Sequence, residues 1–150
     1  VRLAASWKLL EEQAAEIAGF GMARIDGKVA YLATIQDAWP RVHPVTPIIG
    51  NGRCFVFAEP DSSKVRHLRD NGRYSLHCGM SDSSGSSGEF KIVGKAVAIS
   101  DASIREDAES VCSFRPSSRS LLFELQLEEA VATSYRGGRA DRRRWVRAAD

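Results

Sequence analysis

Trp39-Pro40-Arg41-Val42-His43-Pro44-Val45-Thr46-Pro47-Ile48-Ile49, then Asn51-Gly52, then Cys54-Phe55-Val56-Phe57-Ala58, then Asp61-Ser62-Ser63-Lys64-Val65-Arg66-His67-Leu68, is the stretch on which the reading of this chain turns. Asn-Gly between two apolar runs is a strong hairpin signal, because both central residues of a type I′ turn need positive φ. The runs on either side are therefore expected to be neighbouring antiparallel strands. Beyond Ala58 the pattern becomes that of a short helix over residues 62–71, whose first turn carries two hydroxyls and a lysine. Free backbone N–H groups at a helix start attract anions, whereas the macrodipole disfavours a cation there. A bound phosphate would remove the conflict that Lys64 creates, so Ser62, Ser63 and Lys64 form a candidate anion pocket. Plain helix capping beside an exposed lysine is the alternative.

Pro44 and Pro47 are unusual inside a strand, because proline cannot donate to a ladder and is confined to edges, bulges or strand ends. The backbone near His43 and Val45 is then partly free. It belongs either to an ordinary edge strand that its prolines guard against aggregation, or to an edge along which a flat ligand lies.

Working outward, Ser6 is placed to cap a helix with Trp7, Leu10, Ala14 and Ile17 on one face, ended by Gly19 and Gly21. Residues 22–25 and 29–35 look like a first hairpin around Asp26-Gly27, residues 37–40 a turn, and 41–49 the next strand. Residues 73–80 alternate, with Tyr74, Leu76 and Cys78 on one face. Residues 81–88 are a Ser/Gly-rich loop expected to be mobile, and 89–99 a long strand. Asp101 caps a helix that turns Ile104, Ala108 and Val111 inward and ends by Pro116. Residues 121–127 alternate strictly, with Glu124 and Gln126 outward; this half-buried strand is expected to pair across Glu128-Glu129 with a last one, 130–135. The fold class that results is mainly β with short helices: a six- to seven-stranded antiparallel barrel with helices packed at its ends.

The 150 residues suit one domain, 1–150, with a real core. With 43% hydrophobic and 27% charged residues, the composition is that of an ordinary globular protein, and no apolar run approaches membrane-spanning length. The residues before Trp7 lack the apolar core of a secretory signal, which makes the cytoplasm the expected address. Cys54, Cys78 and Cys112 are odd in number and form no Cys-x-x-Cys, so they are read as buried thiols. Between Arg136 and Asp150 six arginines face two aspartates, a local balance of +4 that leaves the rest at −2 for the overall +2. That segment reads as a solvated basic tail, or as one that brings Trp145 and its arginines onto an anionic ligand. No nucleic-acid recognition motif accompanies it.

The usual catalytic constellations are missing: no phosphate-binding lysine loop, no nucleophile elbow, no His-Glu-x-x-His. His43, His67 and His77 lie at spacings that suggest no metal site. His77 and Cys78 are adjacent on a strand and point to opposite faces, which argues against a nucleophile pair. No side chain is singled out as catalytic; if the protein is an enzyme, a bound cofactor supplies the reactivity.

Taken together, Tyr31-Leu-Ala-Thr34, Pro40-Arg-Val-His-Pro-Val-Thr-Pro47, Phe55-Val-Phe57, Ser63-Lys64 and Asn71-Gly-Arg-Tyr-Ser-Leu-His77 resemble the pyridoxamine 5′-phosphate oxidase-like superfamily of flavin-binding split β-barrels. The match is best over residues 21–99. The resemblance implies a homodimer that binds FMN, or in some branches a deazaflavin coenzyme, in clefts at the subunit interface, and acts on a small-molecule substrate by hydride transfer at flavin N5. It would set Arg41, Val42, His43, Pro44 and Val45 along the isoalloxazine and Phe57 and Ala58 beside the ribityl chain. Ser62, Ser63 and Lys64 would hold the phosphate. Trp145 and Arg147 resemble, loosely, the place where classical members hold substrate. Competing readings are a flavin-free binding module, haem binding through His43 or His77, and nucleic-acid binding through the arginines.

Overall fold

In the computed structural model, which describes residues 6–149, the chain runs through α1 (Trp7–Gln13), α2 (Ala15–Ile25), β1 (Ala30–Gln36), β2 (Trp39–Val45), β3 (Ile48–Gly50), β4 (Arg53–Ala58), α3 (Ser63–Asp70), β5 (Arg73–Cys78), β6 (Glu89–Ile99), α4 (Ala102–Ser110), β7 (Leu121–Arg136) and β8 (Arg139–Val146). Asn51 and Gly52 adopt φ of 53° and 76°. They close the expected hairpin, with Ile48 opposite Phe55 and Gly50 opposite Arg53. All pairings are antiparallel, in the order β2-β1-β5-β6-β7-β4-β3, with β8 added to β7.

The two ends of that path are consecutive in the chain. Only Thr46 and Pro47 separate β2 from β3, and so short a link spans at most about 11 Å. The sheet must therefore curl until its first and last strands meet, and the seam between them is covalent rather than laddered. Asp26 and Gly27 pin it: Gly27 N donates to Pro47 O at 2.8 Å, and Ile49 N donates to Asp26 Oδ1 at 2.9 Å. The interior is filled by Trp7, Leu10, Ile25, Leu32, Val56, Leu76, Phe90, Ile92, Phe123 and Leu125, among others. A second, smaller core of Phe55, Ala108 and Leu122 lies outside the barrel wall, under α4.

The structure corrects several expectations. Residues 22–25 are the end of α2, not a strand, and the Asp-Gly pair is a helix C-terminus: Asp26 N still donates to Met22 O, and Gly27 follows with φ 67°. A left-handed glycine serves a helix end and a tight hairpin alike. Gly21 lies inside α2, where a Cβ would stand 2.2 Å from the Phe90 ring; it is there for close approach, not termination. The N-terminal helix is broken at Ala14 (φ −148°), and Ser6 makes no capping bond. The first hairpin is β1–β2, turned by Asp37 and Ala38 at φ 49° and 67°. The strand expected over 41–49 divides at Thr46-Pro47 into β2 and β3.

Residues 121–135 are not two strands but one. Gly94 pairs with Leu127 and Val93 with Glu129, so Glu128 is an extra residue in β7. This bulge moves the inward set from Phe123, Leu125 and Leu127 to Ala130 and Ala132, and mimics a turn in the pattern. Nor is β7 half-buried: Leu122 and Glu124 are buried as well, on the face toward α4. The basic tail is β8, joined by Gly137-Gly138 with φ of 54° and 78° and paired from Arg136↔Arg139 to Glu129↔Val146. The sheet thus has eight strands: the seven of the closed path, as expected for the barrel, and β8 added to β7. Loop 81–88 is tethered, since Arg24 Nε donates to Ser87 O at 2.9 Å.

Candidate functional site

Edge strand β2 and the start of α3 carry the residues singled out in the sequence. In β2, Arg41, Val42 and Pro44 are exposed, His43 is half-buried and Val45 is buried. Its register sets Arg41 opposite Thr34 and His43 opposite Leu32, so His43 shares the inward face with Thr34 and meets it diagonally. Thr34 Oγ1 lies 2.9 Å from His43 Nε2 and 2.8 Å from Nδ1 of His67, which comes from α3. Thr34 and His67 are both buried.

Helix α3 begins without a side-chain cap. Ser62 has the extended backbone of an N-cap, yet no hydroxyl caps the helix; Ser62 Oγ donates instead to Glu59 O at 2.8 Å. Val65 N donates to Ser62 O at 3.2 Å, which leaves the Ser63 and Lys64 N–H groups of the first turn for a ligand. Around this helix start is an open groove of about 380 Å³ that brings together Phe57, Ala58, Ser62 and Lys64 with Glu59, Phe114, Arg115, Ser117 and Ser120. Two cations against one carboxylate leave it positive. Ser63 is exposed and is not part of the lining.

Arg115 and Phe114 were not anticipated. They belong to the segment after α4, and Phe114 stands edge-on to Phe57 with centroids 6.4 Å apart. Arg105 holds this segment in place, donating to Ser120 O at 2.6 Å and Ser117 O at 3.2 Å. An arginine amid Ser113, Ser117, Ser118 and Ser120 is itself an anion-site signature, legible in the sequence but passed over.

The β2 edge and the groove meet through α3. Burial chiefly, then the Lys64 ammonium and His67, hold the His43 imidazole below its ordinary pKa. Burial also lowers His67, helped by Arg66 and Arg41 and opposed by Asp70 and Asp37. Both shifts favour the neutral imidazole. Trp145 and Arg147 are not in the groove. Trp145 is buried and its Nε1 donates to Gln13 Oε1 at 2.9 Å; Arg147 pairs with Glu128 at 3.2 Å. Of the other arginines, Arg143 pairs with Glu16 and Arg144 with Glu129. A larger hollow, about 700 Å³ over residues 68–73 and 95–98, holds none of the expected site residues. Among the described residues no three His, Cys, Asp or Glu side chains are grouped to hold a metal, and no helix is long and apolar enough to cross a membrane.

No protein-family model matches the sequence, and no curated protein matches it. Solved structures do match. A haem-binding protein from Mycobacterium smegmatis superposes with a TM-score of 0.65 at 18% identity over 95% of this chain, which spans 59% of that protein. A FAD-binding protein from Mesorhizobium loti gives 0.61 at 21% identity, covering 79% of this chain and 91% of that one. A candidate pyridoxamine 5′-phosphate oxidase from Listeria innocua gives 0.60 at 20%, covering 82% and 97%. Identities this low speak for architecture, and the architecture is specific: a mainly β, antiparallel barrel closed through β2 and β3, with the split β-barrel fold of the pyridoxamine 5′-phosphate oxidase-like proteins.

Proposed function

We propose that the chain is a flavin-binding oxidoreductase that takes FMN at the junction of β2, β4 and α3. The observation that carries this reading is the groove itself, where an uncapped helix start, Lys64 and Arg115 converge. A phosphate monoester suits that set, because it accepts from backbone N–H groups and offsets both cations. The resident flavin supplies hydride transfer at N5 when bound. The chain's own part is binding and orientation. Ser62, Lys64 and Arg115, with the backbone N–H of Ser63, hold the phosphate, Phe57 and Ala58 flank the ribityl chain, and Arg41, Val42, His43, Pro44 and Val45 line the ring along the unladdered edge of β2. A deazaflavin coenzyme bears a phosphate in the corresponding part and fits the same residues. Exposed Tyr31, Trp39 and Val42 on the β1–β2 hairpin support a homodimer with this edge at the interface; one mass measurement in solution tests it.

The test of the reading is a flavin absorbance spectrum of the purified protein, followed by FMN titration. Saturable uptake that weakens in Lys64→Ala and Arg115→Ala supports it. A colourless protein that takes up neither FMN nor a deazaflavin ends it.

One observation favours haem as a second reading, through His77 rather than His43. His43 Nε2 is taken by Thr34, whereas His77 Nδ1 lies 2.7 Å from its neighbour's carbonyl, Cys78 O. That bond leaves Nε2 of His77 as a free lone pair, the form that ligates iron. A Soret band on haem addition, lost in His77→Ala, would support it.

A further inference from the structure

Thr34 has one hydroxyl proton and two imidazole neighbours. Its Oγ1 is 2.9 Å from His43 Nε2 and 2.8 Å from His67 Nδ1, and the ring centroids are 5.3 Å apart. The hydroxyl can donate to one ring only and must accept from the other, so the tautomers of two neutral histidines are coupled through it. In one arrangement Thr34 donates to His67 and the N–H of His67 is on Nε2. In the other, His67 donates from Nδ1 and Thr34 donates to His43 Nε2.

The burial of His67 chooses between them. Its Nε2 is shut off from solvent and has no hydrogen-bond partner. The first arrangement strands an N–H there; the second leaves a lone pair. Orphaned buried donors are rarer than underused acceptors. His43 then accepts at Nε2 and carries its proton on Nδ1. That atom has no protein partner among the described residues and is not sealed from solvent. Lys64 and His67 are the groups whose charge bears on His43. The Lys64 ammonium favours the opposite form, but water screens it at the half-open edge and nothing screens the buried end of the chain.

We propose that Thr34 and His67 are positioning residues that lock His43 as its Nδ1–H tautomer, so that β2 offers an imidazole N–H donor to an acceptor atom of the ligand, a carbonyl oxygen or an unprotonated ring nitrogen. The ligand half of this statement rests on the flavin reading; the tautomer half does not. Histidine free in water favours the proton on Nε2, so the lock is measurable.

The experiment is a two-bond proton–nitrogen correlation spectrum of the ¹⁵N-labelled full chain at about pH 8, above the histidine range. His43 is expected in the Nδ1–H pattern in the wild type, in Thr34→Ser, and in His67→Asn, whose amide can donate from the Nδ1 position. His67→Phe, which leaves the Thr34 hydroxyl free to donate or to accept, is expected to return His43 to the Nε2–H pattern and to weaken FMN binding about fivefold, the effect of one hydrogen bond. A wild-type His43 in the Nε2–H pattern overturns the proposal even if every variant fails to fold, and so does a His67→Phe spectrum unchanged at His43. The expected tautomer without FMN uptake would sink the flavin reading alone; FMN uptake with the wrong tautomer would sink this one alone.

Discussion

Arg53 Nη1 donates to Glu124 Oε1 at 2.6 Å from the strand next to it, and the Glu124 side chain is only 4% exposed. A carboxylate that buried depends on its partner, because removing one half of a buried pair leaves an uncompensated charge. Arg53→Ala is expected to cost about 3 kcal/mol, at the low end of that effect because Arg53 is itself partly in water. Adding Glu124→Gln should recover much of the loss by removing the charge. Urea denaturation of the single and double variants checks this; additive losses would contradict it.

Gly21 and Gly19 sit two residues apart in α2 and should respond oppositely to alanine. Nothing lies within 4 Å of a Cβ at Gly19, so Gly19→Ala should stabilise by up to about 1 kcal/mol through helix propensity. At Gly21 the same propensity gain meets the buried Phe90 ring, and overpacking costs about 1–3 kcal/mol. Thermal melts should therefore shift up for the first and down for the second.

The His43 and His67 imidazoles both have lowered pKa values in the folded state. Below the ordinary histidine value of 6.5 the unfolded chain takes up protons that the native pair refuses, so stability rises with pH across that window. The urea midpoint should be flat above about pH 6.5 and fall as pH drops toward about 5. His67→Asn should flatten part of that fall. A midpoint that rises on acidification would contradict the assignment of both rings as neutral.

Burial first, then Asp26 and Glu124, pushes the Cys54 thiol far above its usual range. Cys78 is also buried, and its Sγ accepts from Phe90 N at 3.2 Å. Cys112 is partly accessible, though burial and Glu109 raise its pKa too. Alkylation of the native protein should label Cys112 first, and slowly, with Cys54 and Cys78 following only on unfolding. Peptide mapping that finds Cys54 labelled as fast as Cys112 would contradict this packing.

Much of this architecture was legible from residue patterning, and the misses share one physical cause: different structures can use the same local signal. Asn51-Gly52, the helix cap at Asp101 and the alternation of β5 read directly, because one conformation satisfies each. Asp26-Gly27 did not, since a left-handed glycine ends a helix as readily as it turns a hairpin. The parity break at Glu128 is the same for a bulge and a turn, and only the partner strand β6 distinguishes them. Strand β8 was hidden because two of its arginines, Arg143 and Arg144, are held by Glu16 and Glu129, contacts no local window contains. At the site, Lys64 stood out by conflict with its helix end. Thr34 and His67 did not, because their significance lies in a contact made 33 residues apart.

The central claim is that the groove at the start of α3 is built for a phosphate ester on a flavin. Parallel titrations with FMN and with riboflavin, which differ only by that phosphate, test it most directly. The account predicts that the wild type binds FMN at least about tenfold more tightly, the worth of charge-assisted hydrogen bonds, and that Lys64→Ala removes most of the difference while riboflavin affinity stays as it was. Equal affinities for the two flavins, or a preference for FMN that survives in both Lys64→Ala and Arg115→Ala, would contradict it.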